Sequence, residues 1–158
     1  MSVVINISKT YYKPIQTYSK FFAAGASEKE NLAYLVGGCV ISFVAQWPSQ
    51  SRQAFMNQQP VDELMGAILL SNLFLLPLIF YLVSAIIFIF AKIFKSNILG
   101  ADLRLIIFWS YLASTPILLL VGLIQGFFGK NYQYYTVAGL WLFVFLSFIY
   151  SGFRERSK

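Results

Sequence analysis

The sequence contains no histidine, one cysteine and only six acidic residues among 158. The missing histidine removes the commonest general base and metal ligand. The lone cysteine, Cys39, excludes an internal disulfide, and its place in an apolar run makes it a small packing residue. Charge is scarce as well, at 11% of residues where a soluble domain carries roughly a quarter. Gly-rich phosphate loops, HExxH and nucleophile-elbow patterns are absent. We therefore expect no catalytic residues, no cofactor and no metal.

What fills the chain instead is apolar: 58% hydrophobic and 18% aromatic residues, with a mean hydropathy of +0.68. That composition is expected of an all-α polytopic transmembrane bundle forming a single domain. Four spans are predicted, at about 28–47, 63–94, 103–128 and 135–153, inside a transmembrane region covering 27–153. The first opens at "SEKE", where Ser27 and Glu30 have capping-box spacing, and is expected to stop at Pro48. The second is longer than a straight crossing needs. It reads as one helix, with tilt, a kink at Pro77 or a cytoplasmic extension absorbing the excess. Pro116 lies inside the third, which Gly129 can end.

Residues 1–30 hold no long apolar block, so no cleaved signal peptide is expected. Four spans place both termini on one side. Lys9, Lys13, Lys20, Lys29, Lys92, Lys95, Arg104, Arg154, Arg156 and Lys158 fall on that side, and only Arg52 and Lys130 on the other. The positive-inside rule then makes the termini and the 92–104 connection cytoplasmic. It also accounts for the net charge of +6 through anionic headgroups, so nucleic acid is not expected as a partner. Residues 1–26 form a cytoplasmic or interfacial segment and 154–158 a basic tail. Within the former, "KPIQTYSKFFAAG" suggests a helix lying on the membrane, starting at Pro14 and ending at Gly25. Ile15, Tyr18 and Phe22 would line its apolar face and Lys13 and Lys20 would snorkel. "SQSRQAFMNQQP" reads equally as a short outer helix or a plain connector.

The spans carry no Asp, Glu, Lys or Arg near their centres, where a pump or ion transporter normally places them. Ser71, Asn72, Ser84, Ser110, Thr115, Gln125 and Ser147 are expected to hydrogen-bond between helices or to their own backbone. Small residues at four-residue spacing mark candidate packing faces: Ala33 with Gly37, Gly38 with Ser42, and Gly122 with Gly126. Asp62, Glu63 and Asp102 sit near helix starts, where a carboxylate complements the helix dipole without needing a substrate. In the 90–109 connection, Lys95, Gly100, Asp102 and Arg104 form the candidate contact for a partner or lipid.

That connection also carries a resemblance. The order "AKIF", then Gly100, then Ser110–Tyr111 and Pro116 resembles the YIP (Ypt-interacting protein) membrane domain. "LAYLVGGCVISFVAQWP", "FLLPLIFYLVSAI" and the closing "SGFRE" are similar to its small alphaproteobacterial branch. The resemblance spans roughly residues 27–156 and implies a non-enzymatic protein of the bacterial cytoplasmic membrane. Eukaryotic relatives bind Rab-type GTPases through a long cytoplasmic N-terminal region; only about 26 residues precede the first span here, so that role is not carried over. The expected function is a scaffold that packs against itself, another membrane protein or lipid. The alternatives are a small oligomeric transporter or channel using Asn72, Gln125 and the serines, and a lipid-handling protein using Lys95, Asp102 and Arg104.

Overall fold

The computed structural model describes residues 2–25, 27–93 and 98–157, and those residues form six helices and no strand. A short hairpin comes first, α1 (Val3–Tyr12) and α2 (Pro14–Ala24). Four long helices follow: α3 (Glu28–Asn57), α4 (Val61–Ile93), α5 (Gly100–Phe128) and α6 (Tyr132–Arg156), each long and apolar enough to cross a membrane.

Local sequence chemistry sets most of the boundaries. Pro14 stands at the first position of α2, where its missing N–H costs nothing, and Gly25 ends that helix at φ 81°. Ser27 is the N-cap of α3, although its side chain makes no capping hydrogen bond. Gly129, at φ 77°, closes α5 by donating its N–H to Gln125. Asn131 then caps α6, its side chain accepting from the Tyr134 N–H at 3.2 Å. This cap starts the helix three residues ahead of the expected Tyr135.

Of the prolines inside the spans, Pro48 behaves differently from expectation. α3 does not stop at Pro48 but runs through it to Asn57, so the "SQSRQAFMN" stretch continues the span and is no separate outer helix. At 1.5 Å per residue its 30 residues reach about 45 Å, past a hydrocarbon core of about 30 Å. Side-chain donors strengthen the turns around the proline: Gln46 Nε2 donates to Ser42 O at 3.4 Å and Ser49 Oγ to Gln46 O at 2.7 Å. In α4 the chain relieves Pro77 with a π turn over Ser71–Leu75, in which the Leu76 N–H reaches back to Ser71 O. A wider turn immediately before the proline gives its ring room that an α-helical carbonyl would occupy. α4 is therefore one helix.

α5 is the mast of the bundle. Of its most apolar window 72% is buried, against 33% for α3, 11% for α6 and 6% for α4. Leu103, Ile106, Phe108 and Trp109 are wholly enclosed. One side of α5 packs with Tyr18 and Phe148, the other with Leu35 and Cys39. α3 makes the most extensive contact with it and runs parallel, as the pairs Glu28–Arg104, Ser42–Tyr111 and Arg52–Phe127 show. α6 runs antiparallel, pairing Arg156 with Asp102 and Trp141 with Ser114. The starts of α3 and α5 and the end of α6 therefore share one end of the bundle. Lys9, Lys13, Lys20, Lys29, Arg104, Arg154 and Arg156 belong to elements gathered there; Arg52 and Lys130 mark the opposite end.

Candidate functional site

Of the four residues expected to form a partner or lipid contact, Lys95 lies outside the described residues. The other three open α5, and the charges of Asp102 and Arg104 are already engaged. Asp102 is almost fully enclosed and its Oδ2 sits 2.7 Å from Arg156 Nε. The Arg156 guanidinium also lies over the Phe22 ring, 5.7 Å from its centroid. Arg104 reaches across to Glu28, with Nε 3.1 Å from Oε2. Gly100 has the Arg104 guanidinium and the Phe88 ring beside it. Asn31 Nδ2 completes the junction by donating to Ala101 O at 3.1 Å. Asp102 thus pairs with the C-terminal helix, and neither with its sequence neighbour Arg104 nor toward an open cleft.

The two ion pairs differ in worth. The Glu28 side chain is 51% exposed and Arg104 30%, so water competes for both and the pair contributes little. Asp102 is shielded, which makes its dependence on Arg156 strong.

The small residues expected to pack helices fall on two faces. Gly38, Ser42, Gly122 and Gly126 lie on the α3–α5 seam. A Cβ on Gly38 would stand 2.7 Å from the Tyr111 ring, one on Gly122 would meet the Ala45 backbone, and one on Gly126 would meet Pro48. The Ser42 hydroxyl is hydrogen-bonded to the Tyr111 hydroxyl in the same seam. Gly37 touches it only loosely, with a Cβ position 3.6 Å from Leu112. Ala33 is exposed, so within this chain it contributes nothing to the seam.

Polar groups inside the spans find partners within the chain. Asn72 gives Nδ2 to Ile68 O at 3.0 Å and accepts from Gln46 Nε2 at 3.2 Å. Ser84 donates to Tyr81 O, Thr115 to Leu112 O and Ser147 to Phe143 O. Ser114 donates to Tyr111 O and accepts from Trp141 Nε1 at 3.1 Å. Gln125, by contrast, borders a small outer hollow with Arg52 and Lys130, and Ser71 is exposed on α4.

The N-terminal hairpin departs most from expectation. Tyr18 does not lie on a lipid-facing surface; it is fully enclosed, its hydroxyl 2.7 Å from Ser110 Oγ. On α1, Thr10 accepts from Trp109 Nε1 at 3.1 Å. A buried phenol and a buried indole each need a polar partner, and residues about a hundred positions away supply it. These two bonds dock the hairpin against the charged half of α5. Between it and α3 they leave a cleft of about 580 Å³, bordered by Lys9, Lys13, Lys20 and Glu30. The sequence marks these lysines as topology and snorkelling residues, not as a shared site. Their signal is the 9, 13, 20 spacing, which would hold one face of a continuous helix, but the Lys13–Pro14 junction hides it.

Burial pushes the Tyr18 phenol above its ordinary value of 10.0, with the Ser110 hydrogen bond opposing in part. The unfolded chain therefore ionises first. The stability this phenol contributes is complete below about pH 10 and is lost as pH rises from there toward the folded-state value. Tyr18→Phe should cost about 1 kcal/mol at neutral pH, because Ser110 keeps its bond to Ile106 O. It should also flatten the loss of stability above pH 10, which thermal unfolding on either side of that pH would read out.

No protein-family model matches this sequence, and comparison with curated proteins and with solved structures gave no match. The fold and its hydropathy define the class, a multi-pass membrane protein with four spans.

Proposed function

We propose that this chain is a non-enzymatic scaffold of the bacterial cytoplasmic membrane, of the YIP type, with both termini in the cytoplasm. It acts by packing against a membrane partner or a second copy of itself. The observation that carries this reading is the use made of polar groups within the spans. The Ser42–Tyr111, Gln46–Asn72 and Ser114–Trp141 bonds tie helix to helix. A conduction pathway would need such groups turned toward water. The shielded Asp102–Arg156 pair likewise ties α5 to α6. α4 offers the surface for partners, since Phe74, Leu78 and Leu82 project from a helix that its own bundle hardly covers.

The test places a photo-reactive phenylalanine at Phe74, Leu78 or Leu82 in native membranes. Discrete protein adducts from these sites, with none from Tyr18, are expected. A chain that yields only lipid adducts at all three would sink the scaffold reading. Solute flux in proteoliposomes that is abolished by Asn72→Leu would replace it with the transporter.

A further inference from the structure

We propose that the cleft between the α1–α2 hairpin and the start of α3 binds the headgroup of an anionic glycerophospholipid. Three lysines border it, Lys9 from α1, Lys13 from the junction and Lys20 from α2. None of the three forms an ion pair among the described residues. Glu30 is the one acidic residue on the lining, so the cleft carries an excess of positive charge. Arg104 and Arg156, at the same end, are occupied by Glu28 and Asp102. The charge gathered in the cleft is therefore not neutralised by an ion pair among the described residues.

Its walls match an amphiphile. Phe21, Tyr34 and Leu105 supply an apolar side, while the lysines, Gln16 and Thr17 supply a polar one. A volume near 580 Å³ falls in the range of small-molecule sites and holds a phosphate with its glycerol. The hairpin is held by Thr10–Trp109 and Tyr18–Ser110, so the lysines sit on a preformed wall and need not be ordered on binding. The position also fits. The cleft opens beside Glu30 in the first turn of a membrane-spanning helix, at the level where headgroups lie. Lysine ammoniums would take the phosphodiester oxygens, and Glu30 can accept from headgroup hydroxyls. A soluble phosphate compound would satisfy the lysines but leave the apolar wall unused.

The experiment uses the full chain, purified in detergent and offered mixed micelles of phosphatidylcholine with phosphatidylglycerol, with retained lipid counted by native mass spectrometry. Wild type should retain phosphatidylglycerol preferentially. Each Lys→Gln change at Lys9, Lys13 or Lys20 should weaken retention about fivefold, and the triple variant should abolish the preference. Lys29→Gln and Lys130→Gln, which lie outside the cleft, should keep it. All three lysines are exposed, so the variants should fold; should the triple variant aggregate, the single changes carry the test. Equal retention by wild type and the lysine variants would overturn the proposal. So would displacement of the lipid by millimolar glycerol phosphate, which would reassign the cleft to a soluble ligand. Neither result touches the α4 crosslinking, so this site and the scaffold reading fail separately.

Discussion

Gly122→Leu should leave no monodisperse protein on detergent gel filtration, and even Gly122→Ala should cost about 3 kcal/mol. A Cβ placed on Gly122 comes within 2.6 Å of the Ala45 carbonyl carbon and closer still to its oxygen. The obstacle is backbone, so no rotamer change relieves it; α3 and α5 must move apart. Inserting extra carbons into a tight core costs about 1–3 kcal/mol even where side chains can shift. The helix propensity gained in replacing glycine, about 1 kcal/mol, offsets only part of this. The separation would also loosen Gly126 against Pro48 and Gly38 against Tyr111, which share the seam.

The severity of each change should follow what stands in the way. Gly126 meets the rigid Pro48 ring and backbone, so its alanine variant should fall just behind Gly122→Ala. Gly38 meets the Tyr111 ring, which could turn but is held by Ser42, so its cost should be intermediate. Gly37→Ala, with 3.6 Å to Leu112, should be close to neutral. Gly139→Ala, with open space around it, should be neutral or slightly stabilising. Thermal unfolding of the five variants would show this order. A Gly122→Ala protein as stable as Gly139→Ala would remove the close-packed seam.

The four crossings were legible because each signal is local: apolar length, acids at helix starts, and glycine at the end of α5. The small residues were legible as a set, but not by face. Gly37 and Gly38 differ by 100° around the helix, and four-residue spacing marks both faces equally well. Only the position of α5 decides that Gly38 and Ser42 point inward while Ala33 points out. Pro48 differs from its expected role for a related reason. Proline is a stop signal when nothing replaces the lost hydrogen bond, but here Gly126 receives its ring and side-chain donors brace the adjoining turns.

The pairs at the charged end were out of reach from sequence. Asp102 is separated from Arg156 by the whole of α5 and α6, whereas Lys95 and Arg104 were near at hand and drew the expectation. Tyr18 shows the same limit. Its place on an amphipathic helix face points it toward lipid in the sequence, because lipid and protein interior look alike to an apolar pattern. The hydroxyl was the distinguishing clue, since a phenol pointed into hydrocarbon lacks the partner that Ser110 provides.

Replacing either member of the Asp102–Arg156 pair should destabilise the fold, but unequally, and the inequality is the test. Arg156→Met leaves Asp102 enclosed beside a hydrophobic side chain, with its charge uncompensated; breaking a buried pair this way costs about 3–5 kcal/mol. It also removes the guanidinium from the Phe22 ring, releasing the end of α6 from α2. Asp102→Asn leaves the guanidinium behind instead. Arg156 is 34% exposed and can turn toward water, so this change should cost about 1 kcal/mol. The double variant should recover most of what Arg156→Met alone loses, because no buried charge remains. A double-mutant cycle on unfolding in detergent measures all three. If the two single changes cost the same and add in the double, Asp102 is not held by Arg156. The junction would then rest on Glu28–Arg104 and the Asn31 bond to Ala101.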